Sequence, residues 1–427
     1  MDPAIWIVIM FVFLLTIRVP IAISLGMTSV FGALIADKSL NMVSYNFFGG
    51  IAKFPLLAIP FFIMAGVIMQ KAKMAEKIIN FVKLIVGPIP GGLAIATVIV
   101  ATFWGAVSGS GPATVAALGV ILIPGMVKQG YDKDFATAVT SVSSGLAIII
   151  PPSIAFIVYG MIANVSIGTL FAAGIVPGIL VALGLIIVVF IISKKRGYKG
   201  EEWGSFSELW NSFKDAFWAF LTPVIILGGI YGGVFTPTEA AAVAVFYGLF
   251  VGVFVYKTIN FKILFKIGVD AAETTAVVML VVTAAGLFSW IATNVGLIQK
   301  ASSAILGLSD NPVIILLFIN IIILFAGMVI DAISIYYVFL PILLPIMAEM
   351  GWDPVWFGVI MTINLAIGQV TPPVAVNLYV GSNIANISLE KLAKQAIPLI
   401  LAAVVVLLIL MYLPGLTTFL PKVFGLY

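Results

Sequence analysis

Apolar residues in this chain gather into long unbroken runs, and the polar residues are swept into short gaps between them. The runs are Ala4–Ile17, Val19–Ile35, Phe54–Met69, Pro88–Val127, Phe135–Ile162, Leu170–Ile192, Ala219–Val234, Ala240–Tyr256, Thr274–Trp290, Pro312–Met347, Trp356–Ile384 and Ala396–Leu413. A hydrocarbon core takes about 20 helical residues to cross, so such runs predict membrane-spanning helices. Pro88–Val127 is interrupted near Ser108 and Pro312–Met347 near Asp331; each reads as two arms that enter and return, a re-entrant hairpin. Phe135–Ile162 is interrupted at Pro151-Pro152 and Trp356–Ile384 at Pro372-Pro373. Neither side of these breaks is long enough to cross alone, so each reads as one broken span. The pattern predicts an all-α polytopic membrane protein with ten crossings and two hairpins. Two full crossings joined by a tight turn, in place of each hairpin, would give the same parity. Met74–Val86 and Trp203–Phe217 are instead amphipathic with basic flanks, which suits the membrane surface or packing on a scaffold.

Composition agrees and narrows the chemistry. The 427 residues are 63% hydrophobic and 9% charged, with a mean hydropathy of +1.25, far from the ~25% charged of a soluble domain. The chain has no His and no Cys. Imidazole and thiolate metal sites, haem ligation, Ser-His-Asp triads and disulfides are therefore excluded. The net charge of +4 is spread over many gaps and forms no basic block, so nucleic acid is not an expected partner. Asp2 and no basic residue precede the first run, which is therefore expected to stay as a span rather than act as a signal peptide.

The predicted parity sorts the cations. Seventeen of the 21 Lys and Arg fall on one side, in the gaps around Arg18, Lys71–Lys83, Lys128–Lys133, Lys194–Lys214, Lys257–Lys266 and Lys391–Lys394. Lys38, Lys53, Lys300 and Lys422 fall on the other. An error in the middle of the count would scramble this split. The positive-inside rule then places both termini outside.

The chain also repeats itself at an offset of 221 residues. Pro124 meets Pro345, Gln129-Gly130-Tyr131-Asp132 meets Met350-Gly351-Trp352-Asp353, Pro151-Pro152 meets Pro372-Pro373, Gly160 meets Gly381, and Pro177 meets Pro398. The first hairpin is flanked by Lys71–Lys83 and Lys128, the second by Lys300, Asp310, Glu349 and Asp353, so equivalent units enter from opposite faces. Inverted repeats with broken helices are the architecture of secondary transporters, with binding near the midplane. The predicted organisation is scaffold helices in 1–70; an amphipathic arm and transport half 1 in 71–193 (hairpin 88–127, broken helix 135–162, helix 170–192); a second arm in 194–218; scaffold helices in 219–300; and transport half 2 in 301–427 (hairpin 312–348, broken helix 356–384, helix 396–413).

Irregular backbone at membrane depth survives only where it is buried or lines a cavity. Four such places exist: the tips Ser108-Gly109-Ser110-Gly111-Pro112-Ala113-Thr114 and Gly327–Ser334, and the breaks Ser143–Ser153 and Asn364–Pro373. Consecutive prolines free the carbonyls upstream and start a new half-helix downstream. Freed carbonyls with Ser, Thr and Asn oxygens suit Na⁺, and half-helix N-termini suit an anion. Both arginines, Arg18 and Arg196, fall in gaps, so an anionic substrate at the centre would be offset by helix dipoles and two or more co-bound Na⁺. Asp331 is the one carboxylate at a tip, where it would serve a cation site or gate, carry a proton, or pair structurally. Glu239, in Thr236-Pro-Thr-Glu, is explained by a helix start, and Asp270 and Glu273 similarly read as opening a helix.

Ser108-Gly-Ser-Gly-Pro-Ala-Thr, Pro151-Pro152, Phe235-Thr-Pro-Thr-Glu-Ala-Ala-Ala, and Gln369-Val-Thr-Pro-Pro with downstream Asn377 resemble, across essentially the whole chain, the large membrane subunit of tripartite ATP-independent periplasmic (TRAP) transporters. The likeness is strongest to the sialic acid type. This resemblance implies a bacterial inner-membrane protein working with a small four-helix membrane subunit on another chain and a periplasmic substrate-binding protein. It implies Na⁺-driven import of an organic acid by an elevator motion, and no enzymatic activity. It implies cation sites at Ser108 and Ser110 with Ser144 and Gly145, and at Gly327 and Asp331 with Gly368 and Thr371. Ser153, Asn364, Gln369, Pro373 and Asn377 are the candidate substrate contacts. A C4-dicarboxylate substrate, or a stand-alone Na⁺/carboxylate symporter of similar architecture, is the alternative.

Overall fold

A computed structural model describes residues 2–427 and shows twenty α-helices and no strand among them. The helices follow the repeat. Pro3–Thr16, Ile21–Ile35 and Ala58–Lys71 answer to Phe206–Tyr231, Pro237–Phe250 and Phe261–Asn294. Met74–Val86 then answers to Leu297–Leu306, and the hairpin arms Gly92–Ser108 and Gly111–Lys128 to Pro312–Gly327 and Ala332–Met350. The broken helix Lys133–Ser143 plus Ile154–Ala163 answers to Pro354–Gly368 plus Val376–Ala385, and the closing helix Ile167–Arg196 to Leu389–Tyr412.

Local chemistry sets the helix starts. Thr236 and Glu239 form a reciprocal capping box, with the Thr236 N–H donating to Glu239 Oε2 at 2.8 Å and the Glu239 N–H to Thr236 Oγ1 at 3.3 Å. The expectation for Glu239 thus holds. Ser205 and Glu208 form a second box. It starts a 26-residue helix, Phe206–Tyr231, so the amphipathic stretch predicted as a separate arm runs without interruption into a span. The true counterpart of the Met74–Val86 arm is Leu297–Leu306, which the apolar runs had skipped. Asp270 and Glu273 do not open a helix. Asn260 caps it, accepting from the Ile263 N–H at 2.9 Å, and both acids lie well inside Phe261–Asn294.

Eight helices are long and apolar enough to cross a membrane. Two of them, Gly111–Lys128 and Ala332–Met350, are hairpin arms. The other six, the two broken helices and the shorter Pro3–Thr16 and Ile21–Ile35 make up the ten crossings. The halves of the first broken helix have 11 and 10 residues, about 15 Å each at 1.5 Å per residue, so only the pair together spans.

The two broken helices cross antiparallel. Tyr159, late in the first, donates its hydroxyl to the Pro354 carbonyl at the start of the second at 2.6 Å. Gly381, late in the second, packs on Thr137 and Ser141 early in the first. This is the mirror relation that the charges predicted. Every ion pair between helices also joins residues assigned to the same face: Lys71 with Asp270, Lys77 with Asp215, Lys83 with Glu201 and Arg196 with Asp132 at one end, and Asp2 with Lys300 at the other.

Candidate transport site

The two tips and two breaks meet. At the first tip Gly109 turns the chain with φ +59°, and its bare Cα lets it lie close to the Ile154 N–H that begins the lower half of the first broken helix. Ser108 and Thr114 share a hydroxyl hydrogen bond of 2.6 Å across the tip. Gly105 packs on the Ala147 backbone, and Gly145 faces the Ala366 carbonyl, so each break touches the other half. At the second tip Gly327 and Gly368 lie back to back, and the Val374 N–H donates to the Met328 carbonyl at 3.2 Å. Asp331 caps Ala332–Met350, accepting from the Ser334 N–H at 3.0 Å and the Ser334 hydroxyl at 2.5 Å.

Between these elements and the helices Ala58–Lys71 and Phe261–Asn294 lies a cavity of about 540 Å³. Ser108, Ser110, Gly111, Asp331 and Gln369 line one wall, and Gly66, Gln70, Asp270 and Thr274 the other. No lysine or arginine lines it. Lys71 pairs with Asp270 at 3.5 Å beside the cavity. In the sequence Asp270 reads as a helix start and so is missed with Thr274; their spacing of one turn inside a continuous helix is the signal that finds them, while Gln70, on another helix, carries no such signal.

The amides of the second half are held in an unusual way. Asn377 is fully buried and neither of its side-chain polar atoms has a partner. Gln369 Oε1 and Asn364 Oδ1 are likewise unpaired, although the Asn364 amide donates to the backbone carbonyl and Oδ1 of Asn320, both at 2.8 Å. Buried polar groups are rarely left unsatisfied, and an orphan of this kind asks for a ligand. A methyl at Gly111 would lie 2.7 Å from Asn377 Nδ2 and 2.8 Å from Gln369 Oε1. Both amides therefore face the N-terminus of Gly111–Lys128, which no side chain caps. Bare N–H groups at a helix start attract negative charge.

Two hydroxyls mark the breaks. Ser144 Oγ donates to the Thr140 carbonyl at 2.8 Å and Thr371 Oγ1 to the Ile367 carbonyl at 2.7 Å. Each hydroxyl spends its proton on the chain and keeps lone pairs for a cation. Among the described residues no group of three or more acids gathers. Ser153 is fully buried and donates to the Ile148 carbonyl at 2.6 Å, closing the gap the prolines leave. Pro373 is exposed; of the five substrate candidates only Gln369 lines the cavity, while Ser153, Asn364, Pro373 and Asn377 do not.

Two mirror-placed hairpins and two crossed broken helices around a cavity are the architecture of a secondary transporter component. Residues 7–416 match the family described as "Tripartite ATP-independent periplasmic transporter, DctM component", and the chain belongs to this family. It is 43% identical over 412 residues to the isethionate TRAP transporter permease protein DctMQ of Oleidesulfovibrio alaskensis, covering 96% of this chain and 65% of that one. It is 38% identical over 388 residues to the sialic acid TRAP transporter large permease protein SiaM of Vibrio cholerae, covering 91% of each. It is also 38% identical over 430 residues to the C4-dicarboxylate large permease DctM of the same organism, covering 96% of this chain and 95% of that one. The crystal structure of the Alcanivorax borkumensis YdaH transporter shares the fold, with a TM-score of 0.63 at 16% identity over 97% of this chain and 98% of that one.

Proposed function

We propose that the protein imports an organic acid across the bacterial inner membrane, driven by Na⁺, with the substrate handed over by a periplasmic binding protein and a small membrane subunit as second partner. The observation that carries this reading is the pair of orphaned amides, Asn377 and Gln369, against the uncapped helix start at Gly111. An acidic head group there accepts from the bare N–H groups and the Asn377 amide. Na⁺ held by the first tip with Ser144 and Gly145, and by the second tip with Gly368 and Thr371, offsets its charge. Two Na⁺ or more are required on this reading, because no basic side chain lines the cavity and the nearby Lys71 is paired with Asp270.

The walls favour one acidic group over two. Asp331 repels a second carboxylate, and Asp270, whose charge Lys71 already offsets, accepts from neutral hydroxyls or amides. A sialic acid type of substrate, a single carboxylate on a polyhydroxylated body, fits this chemistry better than a C4-dicarboxylate. Alternating access follows if the tips and breaks slide as one block along the helices on the far wall. With the lysine-rich end cytoplasmic, both termini are periplasmic. The cavity, beside Lys71 and Asp270, then faces the cytoplasm, as a release state does.

The test is uptake into vesicles carrying this chain with the small subunit. Binding protein, Na⁺, and a panel of sialic acid, succinate and isethionate are varied in turn. Uptake of sialic acid that needs both Na⁺ and binding protein is the expected result. Full uptake in choline, or without the binding protein, overturns the mechanism; preference for succinate overturns the substrate.

A further inference from the structure

Arg196 sits far from the cavity, and nothing in the transport site uses it. It ends the closing helix Ile167–Arg196 at the lysine-rich end of the molecule. One guanidinium nitrogen lies 3.0 Å from Asp132 Oδ2 and another 2.6 Å from Gln395 Oε1, while its central carbon lies 5.0 Å from the Phe135 ring centre. Tyr198 donates to the same Asp132 carboxylate at 2.7 Å and accepts from the Asp132 N–H at 3.2 Å. Asp132 and Phe135 start the first broken helix; Gln395 is in the second turn of the closing helix of the other half. A planar fork with several fixed donors holds two partners in a set geometry, where the three rotatable donors of a lysine fix none.

The opposite end has its own version. Asp353 is the repeat mate of Asp132, and it accepts from the hydroxyl of Tyr427, beyond the second closing helix. The neighbouring Leu426 carbonyl accepts from Thr169 Oγ1, in the first half, at 3.2 Å. At each end, then, an aspartate at the hairpin base holds a tyrosine from the segment after its own closing helix, and the same cluster reaches into the other repeat.

We propose that these two clasps bind the transport halves into a single body, with Arg196 as the positioning residue of the inner clasp. The inference rests on the sliding-block reading above. The anion cradle is shared between halves, Gly111 from one and Gln369 and Asn377 from the other, so a shear between them would pull it apart. The buried glycine contacts hold the centre while the block is at rest; the ends carry the load when it moves.

The chain has no native cysteine, which makes a direct test clean. Gln395→Ala removes only the bond between halves and leaves the Asp132 bonds in place. It should lower the uptake rate by roughly three- to thirtyfold, the span seen when coupling between two moving elements weakens, with the substrate Kd within about twofold. Arg196→Ala should do the same, and Arg196→Lys should recover part of the loss. In the double variant R196C/Q395C, joining the thiols with a short bismaleimide should restore the rate toward wild type. Wild-type rates in Gln395→Ala, equal loss of binding and uptake, or arrest by the cross-link would each overturn the proposal. Absence of Na⁺-driven uptake in the wild-type protein would instead overturn the function proposed above.

Discussion

Gly327 and Gly368 touch backbone to backbone: a methyl added at Gly368 would lie 2.7 Å from the Gly327 carbonyl carbon and 3.0 Å from its oxygen. The second tip and the second break are held together by the lack of two side chains. Neither partner is the flexible end of a side chain, so Gly368→Ala must push the tip away. Overpacking of this kind costs about 1–3 kcal/mol. Na⁺-dependent uptake should fall below detection while the protein still reaches the membrane, checked by transport assay beside a thermal melt. Wild-type Na⁺ affinity in Gly368→Ala would show that the contact is packing alone.

Asn377 supplies a sharper test because its amide has no partner to lose. Asn377→Ala should leave the melting temperature unchanged or raise it, since it removes two buried unsatisfied atoms. Substrate binding should weaken by about 1.5–3 kcal/mol, the worth of a hydrogen bond to a charged group. Isothermal titration on the purified protein, paired with a thermal melt, measures both ends of this trade. A drop in stability with unchanged affinity would mean the amide is structural.

Asp331 combines a cap with a charge, and the two separate by substitution. Asparagine also caps helices well, so Asp331→Asn should keep the start of Ala332–Met350 intact. The Na⁺ concentration for half-maximal uptake should nevertheless rise, by about tenfold if the carboxylate contributes ~1.4 kcal/mol to cation binding. Asp331→Ala should add a stability loss of about 1 kcal/mol from the missing cap. If Asp331→Asn titrates with Na⁺ like the wild type, the aspartate is a cap and no more.

The serines at the first break should divide. Ser153→Ala strands the Ile148 carbonyl in a buried site and should destabilise the protein by about 1–3 kcal/mol, with no particular change in Na⁺ dependence. Ser144→Ala and Thr371→Ala leave carbonyls that remain inside helical turns. These two should lower Na⁺ affinity with little loss of stability. Uptake measured across a Na⁺ series, paired with melts, distinguishes the two groups.

Much of this architecture was legible residue by residue. The Pro-Pro pairs, Ser108-Gly-Ser-Gly-Pro and the register of 221 point to hairpins and broken helices because proline and glycine act locally on the backbone. Glu239 was read correctly for the same reason, its partner Thr236 being three residues away. Asp270 was misread because an acid among apolar residues looks like a helix start until the cap at Asn260 is seen. The role of Ser153 is not legible in the sequence, because a hydroxyl beside two prolines serves equally well as a ligand or as a substitute donor for the chain.

The amino-acid order by itself determined the spans, the repeat, its inversion and the family, since hydropathy, charge placement and turn chemistry are properties of neighbouring residues and of the bilayer. Only the tertiary structure decided that Gln369 and Asn377 face Gly111, that Asp270 and Gln70 form the far wall, and that Arg196 reaches Gln395. Those contacts join residues between about 200 and 270 positions apart. They arise from how two crossed half-helices pack, a geometry that no local pattern of side chains encodes.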